Sequence, residues 1–124
     1  MRKIRVLVAN RPRLMRDLVL ATISDQPDIE VLGELEDDSK IAQAVADSKP
    51  DFVIIALDRP GERPAICDYL LVRHPLVKVL AVAKEQDNSV FFWSDIQSAA
   101  IESSEEGILN AIRGKNVPRL QRVM

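Results

Sequence analysis

Three stretches of the chain are apolar almost throughout: Ile4 to Ala9, Phe52 to Leu57 and Val77 to Ala83, each with β-branched residues. Strands buried on both faces of a parallel sheet read this way, because helices cover the two sides. Ile29 to Leu35 supplies a second strand and Ser98 to Ile101 a short fifth. Between them lie helix-length segments whose apolar residues recur three and four apart. In the first, Leu14, Leu18, Ala21 and Thr22 share a face, behind Asn10 and Pro12, which suit a helix start, and ahead of Pro27. Ser39 to Ser48 places Ile41, Ala42 and Val45 together after Asp37 and Asp38, either of which can cap it. Pro64 to Arg73 is a third helix, stopped before Pro75. Ser104 to Arg113 is the last, with Ser103 or Ser104 as cap, Glu105 and Glu106 in its first turn and Gly114 at its end. Strict alternation of strand and helix predicts right-handed crossovers and a doubly wound α/β fold, a five-stranded parallel sheet in the order 2-1-3-4-5 with helices on both faces.

In such sheets chemistry gathers at the carboxyl ends of the strands, near the switch point between the first and third. The positions to interrogate are therefore Ala9 to Pro12, Ala56 to Gly61, Ala83 to Asp87 and the end of the fifth strand.

The length of 124 residues suits one domain over 1–114, followed by a tail over 115–124 in which Lys115, Arg119 and Arg122 meet no acid. Glu30 to Asp38 is the counterpart, five acids and no base. A net charge of −2 argues against broad attraction to nucleic acid or anionic lipid. No stretch reaches the 18 or so apolar residues of a membrane span and no signal-peptide cleavage site follows the start, so the expectation is a cytoplasmic protein that binds neither membrane nor nucleic acid. The lone Cys67 has no Cys or His at metal-ligand spacing and reads as a reduced packing residue. With four glycines and neither G-x-x-x-x-G-K nor G-x-G-x-x-G, a phosphate-cradling loop is not expected. His74 falls in a loop entering the fourth strand, with no nucleophile or acid at a recognisable spacing.

Several stretches together resemble the response-regulator receiver domain over residues 3 to 113: Ile4-Arg5-Val6-Leu7-Val8-Ala9 with Leu14-Met15-Arg16, Val31-Leu32-Gly33-Glu34, Pro50 to Gly61, Arg73-His74-Pro75-Leu76-Val77-Lys78-Val79-Leu80, and Ser104-Glu105-Glu106 leading to Ala111-Ile112-Arg113. The likeness is to receivers that precede a helix-turn-helix DNA-binding domain, and it implies a flavodoxin-like fold. Members of that family hold Mg²⁺ with two acids after the first strand, phosphorylate an aspartate ending the third, read the phosphate with Ser or Thr ending the fourth and pair it with Lys ending the fifth. Here those places align with Asn10 and Arg11, Ala56, Ala83 and Ile101, and all five depart from the pattern. The resemblance thus implies a degenerate receiver with no metal, no cofactor and no phosphotransfer.

Asp58 is the carboxylate nearest the lost acceptor and reads as a loop residue capping a turn or pairing with an arginine. Arg11, placed in a helix's first turn, should turn away from the positive helix end toward an anion; either it pairs with Asp58 in the old pocket or it stands in solvent. Val90-Phe91-Phe92-Trp93 is assigned to a short helix, where three consecutive rings sweep wider than one buried stripe, so at least one should face water or a partner. The leading expectation is a non-enzymatic signalling module acting by protein contact and homodimerisation. A small-ligand sensor using the emptied cleft and the input domain of a DNA-binding regulator are the alternatives.

Overall fold

The computed structural model describes residues 2–57, 59, 63–83 and 104–114 in full, and the backbone of two strands over 89–93 and 97–101. In chain order the elements are β1 (Ile4–Ala9), α1 (Arg13–Ile23), β2 (Ile29–Glu34), a 3₁₀ turn (Asp38–Lys40) running into α2 (Ile41–Ser48), β3 (Phe52–Ala56), α3 (Ala65–Arg73), β4 (Lys78–Val82), β5 (Ser89–Trp93), β6 (Gln97–Ile101) and α4 (Glu105–Arg113). The four parallel strands stand in the expected order 2-1-3-4. β3 is buried at every residue and lies between β1 and β4, which is why its sequence carries no polar position.

Alternate residues of these strands feed two cores. On one face Leu7, Val53, Ile55, Val79 and Ala81 pack with Ile41 and Val45 of α2 and Cys67, Leu70 and Leu71 of α3. On the other, Val6, Val8, Ile54, Leu80 and Val82 pack with Val19 and Ile23 of α1 and Ile108, Ala111 and Ile112 of α4. Burial pushes the Cys67 thiol up to about 12. The β1–β2 ladder skips a residue: Val6 is opposite Val31, Leu7 opposite Gly33, and Leu32 bulges out of register between them.

Three expectations are corrected. The parallel sheet does not continue into a fifth neighbour of β4; β5 runs antiparallel to β4, and β6 antiparallel to β5. Val90 to Trp93 therefore lies in a strand. Val-Phe-Phe-Trp favours a strand, and it pairs as a hairpin with Gln97–Ile101 three residues on, satisfying backbone groups between the two strands and with β4. The 100° sweep that suggested an outward ring there belongs to a helix and lapses with it; these four side chains lie outside the described residues. Third, the Leu14/Leu18 stripe of α1 faces solvent, at 69% and 54% exposure, while the helix buries Arg16, Val19 and Ile23. The helix offers two apolar stripes, and the β-branched one took the core.

Helix ends follow their sequences. Ser104 Oγ accepts the Gly107 N–H at 3.0 Å, and Gly114 closes α4 in the left-handed region at φ 77°, where a side chain would be strained. Asp37 caps the 3₁₀ turn through the Ser39 N–H at 2.9 Å, and that hydrogen bond holds its carboxyl below the usual range. Arg113 forks onto Asp28 at 2.8 and 2.9 Å and reaches Gln26 at 2.7 Å, tying the end of α4 to the entry of β2; the Asp28 hydrogen bonds raise its pKa further.

Candidate functional site

The carboxyl ends of β1, β3 and β4 converge at one mouth, and four of the sequence-selected residues meet there. Asn10 follows β1 and is fully buried; its Nδ2 donates to the Ile55 carbonyl at 2.9 Å, tying the β1 exit to β3. Its Oδ1 is buried without a hydrogen-bond partner among the described residues. Ala56 ends β3 and Ala83 follows β4, exposed by 7% and 2%.

Arg11 precedes the N-cap of α1, Pro12, so it is not in the first helical turn. Arg11 is held by a fork and not by the helix dipole. Its Nε donates to Asp38 Oδ1 at 3.1 Å and its Nη2 to Asp38 Oδ2 at 3.0 Å, with the two side chains 37% and 49% exposed. Asp58, the anticipated partner, lies outside the described residues. From sequence Asp38 is read only as a helix cap, although the acid run that ends there was the available signal for this pairing: β2 pairs with β1, so the loop after β2 must pass beside the loop after β1.

Behind this fork lies a second ion pair. Arg16 on α1 is almost wholly buried, its Nε donating to Glu34 Oε1 at 2.9 Å, with Nη1 at 3.5 Å from the Asn10 carbonyl, the outer limit of a hydrogen bond. Arg16 thus clamps α1 to the end of β2 directly beneath the segment that presents Asn10 and Arg11.

An open cleft of about 710 Å³ occupies the mouth on the α2/α3 side, with Ile55 and Ala56 as floor, Arg11, Asp38 and Ser39 on one wall, and Pro64 to Ile66 and Tyr69 of α3 on the other. Ala83 does not line it. The N-cap of α3 is Pro64, which gives no side-chain cap to the first amides of the helix.

The residues present do not fit the Mg²⁺ that the resemblance would imply. Magnesium takes carboxylates to replace part of a tightly held water shell. Among the described residues the mouth offers one neutral amide oxygen, Asn10 Oδ1, next to a guanidinium whose carboxylate is already engaged. Among the described residues no three His, Cys, Asp or Glu side chains cluster as metal ligands.

Ile101, aligned with the family's lysine, ends β6. Because β5 runs down from the mouth and β6 runs back up, opposite Ser89, Ile101 does sit at the mouth's level. One strand has been interposed, so β6 stands about 10 Å from β4, two strand spacings away. Position and chemistry have both left the pocket. Among the described residues no helix is long and apolar enough to cross a membrane.

No protein-family model matches the chain. Among curated proteins it is 24% identical over 97% of its length to a protein-glutamate methylesterase/protein-glutamine glutaminase of Bradyrhizobium diazoefficiens, covering 38% of that protein. It is 28% identical over 73% of its length to one of Geobacter sulfurreducens, covering 25% of it. The chain thus spans about a quarter to two fifths of the length of these relatives. Among solved structures it resembles the signal receiver domain of the response regulator NarL from Mycobacterium tuberculosis, with TM-score 0.58 and 23% identity over 67% of this chain and 68% of that one. It also resembles the response regulator domain of Thermotoga maritima CheB, with TM-score 0.56 and 26% identity over 69% of this chain and 64% of that one. Strand order, core and relatives agree: the chain has the fold of a response-regulator receiver domain and is similar to such domains.

Proposed function

We propose that this chain is a receiver-type signalling module that works without aspartyl phosphorylation and acts by protein contact, its own homodimer included, and not as an enzyme. The observation that carries the reading is the mouth of the sheet, where buried Ala56 and Ala83 replace acceptor and hydroxyl and the Arg11–Asp38 fork stands beside them. Phosphoryl transfer needs a nucleophilic oxygen, in-line positioning and neutralisation of the developing charge, usually by metal. The single histidine supports the same reading, since His74 closes α3 at the end of the fold opposite the mouth. The test is incubation with acetyl phosphate and Mg²⁺ followed by intact-mass spectrometry. No adduct is expected; a stoichiometric, acid-labile adduct on Asp58 or any other aspartate refutes it.

The cleft favours a second reading, a sensor of small molecules. Its volume falls among those of ordinary ligand sites, and it combines an apolar floor with a guanidinium, a carboxylate, two hydroxyls and an uncapped helix start. A heteronuclear NMR screen with small carboxylates and phosphate esters tests it. Saturable shifts confined to Ser39, Ala56, Ile66 and Tyr69 support the sensor, and none at millimolar ligand refutes it.

A further inference from the structure

The two edges of the sheet are built differently. β2, at one edge, carries a bulge and the sequence Ile-Glu-Val-Leu-Gly-Glu. Charges, glycine and a bulge are the devices by which edge strands avoid pairing with other chains. β6, at the other edge, reads Gln-Ser-Ala-Ala-Ile, with no charge, proline or glycine. Its ladder with β5 runs through all five residues without a register break, and among the described residues nothing pairs with its outer side.

We infer that β6 pairs antiparallel with β6 of a second copy about a two-fold axis at Ala99, joining two six-stranded sheets into one. The occupant follows from self-complementarity. A two-fold contact sets a strand against its own reversal, so Gln97 faces the partner's Ile101, Ser98 the partner's Ala100, and Ala99 its own mate. No like charges oppose, and no other centre uses all five residues. The same operation on β2, centred near Leu32, would oppose Glu30 to the partner's Glu34, two carboxylates on an already bulged strand. A β6-to-β2 arrangement, which would propagate into a filament, meets the same bulge and acids. Only the β6 pairing is both unopposed and closed.

Five residues of strand bury less than the roughly 1,000 Å² of a stable interface, so flanking contact is needed. α4 packs against β6 and provides it on one face. The dimer is accordingly a weak, reversible one. This inference rests on the contact-module reading and gives its self-association a surface.

Sedimentation velocity on the full chain over a concentration series should show reversible dimer. Ser98→Lys and Ala99→Lys, at adjacent positions of the strand, place like charges near the axis. At least one should weaken the dimer tenfold or more while keeping the parent's circular dichroism and melting temperature. In Ala99→Cys the two-fold brings Cα atoms to about 5 Å, within disulfide range, so mild oxidation should cross-link it. Gln97→Cys should not cross-link, and native Cys67, buried with its thiol pushed up to about 12, stays silent. A monomer at every concentration, or a dimer that resists both lysines and cross-links equally through positions 97 and 99, overturns the inference. Neither result bears on the phosphorylation test, and an acetyl phosphate adduct would leave the β6 surface untouched.

Discussion

Glu34→Ala and Arg16→Met remove the same ion pair and should cost very different amounts. The Arg16 side chain is 6% exposed and Glu34 50%, so the pair has one dry partner and one wet one. Taking away Glu34 leaves a guanidinium in the interior with only the 3.5 Å contact to the Asn10 carbonyl. Breaking a fully buried pair costs about 3–5 kcal/mol and an exposed pair about 0–1, so this mixed case should cost about 2 kcal/mol. Taking away Arg16 instead leaves a carboxylate that water already reaches, while methionine fills the arginine stem's volume, and the loss should stay under about 1 kcal/mol. With a urea slope of about 2 kcal/mol/M, the midpoint should fall by about 1 M for Glu34→Ala and by under about 0.5 M for Arg16→Met. The double variant should be no worse than Arg16→Met alone, since the stranded charge is gone. Urea titrations followed by circular dichroism decide it. Equal losses, or a larger one for Arg16→Met, would falsify the assignment of Arg16 as the dry partner.

Three further outcomes follow from the same geometry. Ala56→Asp alone should not yield a phosphorylated protein, because Asn10 and Arg11, aligned with the family's metal-binding acids, supply no carboxylate for the metal; a stoichiometric adduct by mass spectrometry would show that the acceptor was the one missing part. The Cys67 thiol titrates higher folded than unfolded, so its contribution is intact below pH 9.0 and is lost as pH rises toward about 12; unfolding midpoints across that window should fall more in the parent than in Cys67→Ala, and Ellman's reagent should label the native protein only as fast as it opens. Ser104→Ala removes the hydrogen bond to the Gly107 N–H and should cost about 1 kcal/mol by thermal unfolding; no loss would mean the cap is idle.

The parallel core was legible because burial on both faces leaves strands no polar positions, and the Ser104 and Gly114 caps because their chemistry is local. The hairpin was not. Ser-Val-Phe-Phe-Trp satisfies helix and strand patterns alike, and the choice was made by pairing with β4 and β6, which periodicity does not see. For α1 the leucine stripe was the face read from sequence, whereas the buried stripe carries Arg16, whose partner Glu34 lies eighteen residues on. At the site, Ala56 and Ala83, on which the proposed loss of phosphorylation rests, were visible in the sequence. The Arg11–Asp38 fork required the three-dimensional adjacency of two loops.

The bulge at Leu32 decides which side of the sheet Glu34 serves. In register, residue 32 would sit opposite Leu7, Gly33 opposite Val8 and Glu34 opposite Ala9, which belongs to the α2/α3 core. The extra residue advances β2 by one, and since faces alternate along a strand, Glu34 comes opposite Val8, among the residues packed against α1. Only there does it meet Arg16. Parity thus couples a backbone irregularity to an electrostatic match two positions away. A β2 that paired in register with Leu32 in place would swing the carboxylate through the sheet and leave the cation of α1 facing glycine.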